Sequence, residues 1–205
     1  QRQMCIRDRY IDFYFQCDYD VDTKISIPFA APYQMMNMTL AYQAMRMLEP
    51  ETGIKKEEIL KGIRNTRWQG RMQEVGENIY FDGAHNVAGI HAFLDSVALI
   101  RPQNPILLFS MVSDKDYEKA IQLLAERGQW EQVIVTTISD KRGIPAEDIA
   151  RIFSHFGQQA VVIEDSRKAY EWALKGKKRG QALFCTGSLY FIGELLEITG
   201  GKNSD

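Results

Sequence analysis

From Gly70 to the end of the chain, short apolar runs alternate with stretches of helical period, and this rhythm limits the fold more than any other feature. Residues 72–75, 79–81, 106–109, 133–136, 161–163 and 182–185 read as strands. Residues 87–100, 117–126, 146–153, 167–174 and 189–198 repeat apolar side chains three and four apart, as helices with one buried face do. Pro145 at a first-turn position and Ser166 as a cap mark two helix starts. Strands apolar at successive positions are buried on both faces, and a helix between each pair supplies the crossover that parallel strands require. The expectation is an α/β fold with a mostly parallel, doubly wound sheet.

The first third has another character. Phe13, Phe15, Tyr19, Val21, Ile25 and Ile27 are spaced by two or multiples of two, which predicts two short strands over residues 10–27 with a turn near residues 18–20. Pro28 and Pro32 end that pattern. Residues 33–48 then read as a helix with Met36, Leu40, Ala44 and Met47 on one face, and residues 57–63 as a shorter one. The methionines are read as core filler, which suits their flexible side chains. Residues 65–70 read as a linker, so one domain is expected over 10–66 and another over 67–205. Residues 1–9 (QRQMCIRDR) open without Met, show no helical or strand period and resemble translated adapter DNA. They are expected to be a non-native leader on a chain whose natural sequence continues upstream.

Composition excludes several classes of function. With 205 residues, 45% of them hydrophobic, the chain can close a core without a disulfide or metal staple. A net charge of -2 gives no field that would draw nucleic acid or an anionic membrane, so an anionic substrate must meet local cations. Cys5, Cys17 and Cys185 are scattered, and with three histidines no zinc spacing arises; they read as free thiols of a reducing cytoplasm. No apolar stretch approaches the ~20 residues of a membrane span. A cytoplasmic monomer is expected.

In a parallel sheet, ligands gather beyond the carboxyl ends of the strands. The polar clusters fall there: Asp82 to Asn86, Ser110 with Ser113 to Asp116, Asp140 to Arg142, and Thr186 to Ser188. In IYFDGAHNVAG (79–89), Asp82 is expected to emerge from a buried strand into a cleft, and Gly83 and Ala84 to let a ligand or a facing domain approach the backbone. Asn86 can cap the next helix. On its residues alone the segment reads equally as an Asx-turn with a surface histidine.

D-G-A-H-N-x-x-G after an apolar strand resembles the C-terminal-domain signature of folylpolyglutamate synthases and dihydrofolate synthases, members of the Mur ligase superfamily. Four more segments agree in order. Gln34 to Asn37 with Leu40 and Ala41 resembles the helix that closes the family's ATPase domain, and Arg67 to Gln73 (RWQGRMQ) its W-P-G-R-[ML]-E hinge. Ser113 to Asp116 resembles its D-K-D loop, and Thr186 to Tyr190 its G-S-L-Y turn, so the likeness runs over about residues 20–200. Tyr33, Gln69 and Val87 stand where the family usually has His, Pro and Pro; none of these changes removes a charge.

The resemblance implies a Rossmann-like C-terminal domain preceded by the tail of an ATPase domain. It also implies a ligase that uses ATP and Mg2+ to join L-glutamate to a folate or dihydropteroate through an acyl phosphate. By the same resemblance Asn37 would contact adenine, Arg71 the transferring phosphate, and Asp82 the ribose region. His85 would lie by the γ-phosphate and the acyl phosphate, and Lys115 and Ser188 would hold the carboxylates of glutamate. Arginine offers phosphate a planar fork of donors, and a Gly-Ser turn opening a helix offers backbone N–H groups. Taken singly, Arg71 and Lys115 also read as surface cations, Ser188 as a helix cap and Asn37 as an exposed polar position.

No G-x-x-x-x-G-K-[ST] loop occurs in the sequence, and the family's magnesium ligands and folate pocket are expected upstream, so these residues alone are expected to be inactive. The alternatives are another Mur-type ligase, such as a peptidoglycan precursor ligase or cyanophycin synthetase, or a non-catalytic α/β binding module. A nicotinamide-binding domain would need G-x-G-x-x-G after its first strand, which the Gly83 segment lacks.

Overall fold

A computed structural model describes residues 4–7, 10–17, 20–28 and 31–200. The chain divides into two compact units, Gln1–Gln69 and Gly70–Asp205.

In the first unit, β1 (Met4–Arg7), β2 (Tyr10–Cys17) and β3 (Asp20–Ile27) form an antiparallel sheet in that order. Ile11 faces Ile27 and Phe13 faces Ile25, all four buried, so the period-two pattern puts one face of the sheet inside. The expected turn near residues 18–20 falls partly on residues 18 and 19, which lie outside the described residues, as do residues 1–3 and 8–9 of the expected leader and the side chains of Cys5 and Cys17. Residues 4–7, set aside as patternless, pair with β2 from Met4↔Phe13 to Arg7↔Tyr10. A strand needs only a free partner edge, and β2 supplies one without any alternation in the added segment.

Helices α1 (Tyr33–Met47), α2 (Glu49–Thr52) and α3 (Lys56–Asn65) complete this unit. The face of α1 differs from the expected one: Met36, Leu40 and Met47 are exposed, while Gln34, Met38, Thr39 and Tyr42 are buried. The methionines at 36 and 47 therefore fill no core within this unit. Side-chain bonding decides the rotation. The carboxylate of Asp20 accepts from Tyr42 Oη, from Arg46 Nε at 2.8 Å and from Lys56 Nζ at 2.7 Å, and Lys56 Nζ also donates to Thr23 Oγ1. Tyr42 and Arg46, four apart on α1, are turned inward by this one group. Burial pushes the Asp20 carboxyl up, but the bonds from Lys56, Tyr42 and Arg46 outweigh it and hold the group well below the usual range.

The second unit is built as the alternation predicts. Its strands are β4 (Gln73–Gly76), β5 (Ile79–Asp82), β6 (Ile106–Phe109), β7 (Gln132–Thr137), β8 (Ala160–Asp165) and β9 (Leu183–Thr186). Helices α4 (Val87–Ile100), α5 (Tyr117–Arg127), α6 (Ala146–His155), α7 (Ser166–Gly176) and α8 (Leu189–Gly200) alternate with them. The sheet order is β4-β5-β9-β6-β7-β8; β4 is antiparallel and the other five strands run parallel. All four residues of β6 and of β9 are buried, as central parallel strands require. On one face Phe81, Leu108, Ile134 and Cys185 meet Tyr170 of α7 and Phe191 and Leu195 of α8. On the other, Phe184 meets Phe93 of α4 and Trp130, and Phe109 meets Phe153 of α6. Two helix starts shift by one residue: Pro145 stands just before α6, and Asp165 rather than Ser166 caps α7, its Oδ1 accepting from Lys168 N at 2.8 Å. A carboxylate reaches that amide and matches the helix dipole, which leaves the serine free to be the first helical residue.

Candidate functional site

Because β5, β9 and β6 are adjacent and parallel, the loops that leave them emerge side by side; Asp82, Thr186 and Phe109 share one register level. β9, last in sequence, is inserted between the first two parallel strands, so the turn at 186–188 lies between the 82–86 and 110–116 loops.

Asp82 is buried rather than projecting, 2% exposed. Its Oδ2 accepts from Met72 N at 2.8 Å and its Oδ1 from Ala84 N at 2.9 Å, while Gly83 N donates to Gly70 O. The carboxylate thus fastens the 70–72 segment, with Arg71 in it, to the end of β5. The space beside Gly83 is filled from within the unit: a Cβ there would lie 2.2 Å from Leu189 Cδ2 and 3.1 Å from Arg71 Nη1. The close approach predicted at Gly83 is made by these two side chains. Arg71 is half-buried and makes one long bond, Nη1 to Gly70 O at 3.4 Å.

His85 Nδ1 lies 2.8 Å from Gly83 O. A carbonyl can only accept, so Nδ1 carries the hydrogen and, in the neutral ring, Nε2 keeps its lone pair. Asn86 caps α4, its Oδ1 accepting from Gly89 N at 2.7 Å.

At the end of β9, Gly187 takes φ +121°, with the position of a Cβ only 2.2 Å from Ser110 O. Only glycine passes there, and it brings Ser188 to the start of α8. Ser188 is buried; its Oγ accepts from Tyr190 N at 3.2 Å, which leaves its hydroxyl hydrogen able to donate. Lys115, beyond β6, is exposed, and its ammonium makes no hydrogen bond or ion pair among the described residues. Asn37 belongs to the other unit: exposed on α1, it donates from Nδ2 to Gln34 Oε1 at 2.9 Å.

Arg71, Asp82, His85 and Ser188 therefore stand at the ends of two adjacent strands, and Lys115 one strand further. Sequence reasoning assigned nothing to Arg142, Tyr190, Glu194, Ser110 or Thr186. Arg142 bonds Asp140 and Asp114 and covers the Tyr190 ring; its signal was the Asp140-Lys141-Arg142 cluster itself. Ser110 Oγ, Thr186 Oγ1 and Glu194 Oε2 are buried without a partner, at the same edge in the case of the two hydroxyls. Among the described residues no group of three or more His, Cys, Asp or Glu could hold a metal ion, so no all-protein cage for the magnesium that the resemblance implies is found there. No helix among them is long and apolar enough to cross a membrane.

The family of the Mur ligase, glutamate ligase domain, matches residues 70–189. The folylpolyglutamate synthase of Lacticaseibacillus casei is 24% identical over 195 residues, 90% of this chain and 43% of that protein. A probable dihydrofolate synthetase of Schizosaccharomyces pombe is 25% identical over 184 residues, 83% of this chain and 43% of that protein. Among solved structures, E. coli FolC in complex with ADP superposes with a TM-score of 0.78 at 19% identity, covering 100% of this chain and 47% of that one. Mycobacterium tuberculosis folylpolyglutamate synthase complexed with ADP and AMPPCP gives 0.77 at 20%, covering 98% and 47%. The chain thus spans less than half the length of the relatives it matches. With the match lying over more than half of its residues, the chain belongs to the Mur ligase family through the glutamate ligase domain.

Proposed function

We propose that this chain supplies the amino-acid-handling part of an ATP-dependent ligase that joins L-glutamate to a folate or dihydropteroate. The observation that carries this reading is the rim of the parallel sheet, where His85, Ser188 and Lys115 stand on loops leaving β5, β9 and β6, and Arg71 stands on the segment before β4 that Asp82 fastens to the end of β5. The relatives named above, a folylpolyglutamate synthase and a dihydrofolate synthetase, supply the substrate class. E. coli FolC solved with ADP, and with DHPP and ADP, supports the nucleotide.

In the proposed reaction a substrate carboxylate oxygen attacks the γ-phosphorus of ATP and ADP leaves. The nitrogen of glutamate then attacks the acyl carbon, phosphate leaves and the nitrogen loses a proton. Arg71, half-buried and nearly free of internal bonds, would neutralise phosphate charge as it shifts between oxygens. His85, fixed by its Nδ1 bond, would take the proton on the Nε2 lone pair and, once protonated there, donate to the phosphate. Lys115 and the Ser188 hydroxyl would hold the carboxylates of glutamate. Asp82, whose oxygens accept from the amides of Met72 and Ala84, would position Arg71 and Ala84 and contact the ribose region of the nucleotide. Asn37 would contact adenine. Magnesium, when bound, would supply charge neutralisation at the phosphates, from ligands outside the described residues. The same reading makes the protein a cytoplasmic monomer.

The test is ADP release by a full-length ligase carrying this sequence. Turnover should require both L-glutamate and a reduced folate or dihydropteroate, and Arg71→Ala should lower kcat by ~100-fold or more. The 205 residues alone should give none. Turnover with other amino acids but not glutamate would overturn the substrate assignment.

A further inference from the structure

Arg142 is the most heavily bonded side chain at the rim, and each of its bonds runs to a different loop or fixes its own. Nε and Nη2 donate to Asp140 Oδ1 and Oδ2 at 2.9 and 3.1 Å, a two-pronged pair that orients the guanidinium. Nη1 donates to Asp114 Oδ2 at 3.3 Å, beside Lys115. The guanidinium carbon lies 4.7 Å from the centre of the Tyr190 ring, two residues from Ser188. The main chain repeats the link: Ser113 N donates to Arg142 O at 2.8 Å, and Ile144 N to Met111 O at 3.1 Å. Helix α8 holds the same segment at a second point, since Glu194 Oε1 accepts from Ser139 N at 2.7 Å. Tyr190 and Glu194 are four apart and so share one face of α8. Segment 139–142 is therefore gripped by α8 on one side and grips the 113–114 loop on the other.

We propose that Arg142 is a positioning residue that sets Lys115 against Ser188. The inference rests on the reading of those two residues as the glutamate-carboxylate site. Arg142 is not itself the anion contact. Its donors are directed at two carboxylates, and it holds the Asp140 carboxyl down at about 2, so that pair stays ionised and mutually neutralised at working pH. Lys115 makes no ion pair among the described residues and keeps its charge for a ligand. Its usefulness depends on where the loop stands, and a misplacement of about 1 Å can cost up to ~100-fold in rate.

Two variants separate positioning from direct binding. In the full-length ligase, Arg142→Ala should raise the KM for glutamate ~10-fold, with the KM for ATP unchanged. Asp114→Asn should raise it ~3-fold, because one arm of the link is lost. A direct carboxylate contact predicts the opposite sign for Asp114→Asn, since a freed guanidinium would bind glutamate better. An unchanged glutamate KM in Arg142→Ala, a parallel rise in the ATP KM, or a lowered glutamate KM in Asp114→Asn overturns the proposal. Hydrogen exchange on the 205-residue chain gives a reading independent of turnover. Arg142→Ala should speed exchange of amides in both 113–117 and the first turn of α8 (189–191), and a change confined to one segment sinks the link. If the wild-type enzyme does not depend on glutamate while both segments loosen together, the functional reading fails and the link between the segments stands.

Discussion

In the first unit one nearly buried carboxylate ties two helices to their sheet, whereas the core of the second unit is closed by rings and aliphatic side chains. Asp20 gathers Tyr42, Arg46 and Lys56 from two helices. Phe184, at the centre of the other sheet, is wrapped by Tyr80, Phe93 and Trp130. A three-stranded sheet with one covered face has little apolar area to bury, so directional charged bonds decide how its helices sit. A six-stranded sheet covered on both faces needs no such pin in its core. Of its buried polar residues, Asp82, Ser110, Thr186 and Ser188 lie at the edge where the parallel strands end, and that is where the candidate site stands.

The largest effect should come from the apolar centre. Phe184→Ala should cost ~3–5 kcal/mol, read as a lowered urea midpoint for amides of residues 70–200, while protection of residues 20–65 holds. Equal loss in both regions would mean that the two units do not unfold separately.

The next effect belongs to the charged pin. Asp20→Asn should cost ~3 kcal/mol, because Arg46 and Lys56 lose the carboxylate they converge on, and the loss should appear first in residues 20–65. The pH dependence follows from the same group. A carboxyl lowered in the fold contributes its stability above its unfolded value near 3.8 and loses it as pH falls toward the folded value. Exchange of the β3 and α1 amides should therefore quicken between about pH 4 and pH 2. The Asn variant should show no such step; if it does, Asp20 is not the titrating group.

The smallest effect tests the rim. Asn86→Ala removes the cap of α4 and should cost ~1 kcal/mol, with faster exchange at the first turn of α4 and none at β5. A loss as large as that from Phe184→Ala would show that the rim is part of the core.

The second unit was legible because its signals are local. Apolar runs of about four residues and helices with caps such as Asn86 can be read from neighbours in sequence, and the observed bounds differ from those expected by at most two residues. The first unit was less so. Met36, Leu40 and Met47 line one side of α1 by spacing, yet Tyr42 and Arg46 turn the other side inward, because the carboxylate they reach is over twenty residues away. The site shows the same limit. The residue types at 71, 82, 85, 115 and 188 were readable, but Asp82 turned out buried and bound to the main chain, and Arg142 became prominent only when Asp114, Asp140 and Tyr190 were seen around it.

By itself the sequence determined the class of fold, the positions of most strands and helices, and the polar segments that follow the strands, since each rests on periods of two or 3.6 residues within a short window. Only the tertiary structure decided that β9 lies between β5 and β6, which face of α1 is inside, and which of the polar residues are spent on one another. Strand order and charge pairing depend on contacts between residues far apart along the chain, and no local period records them.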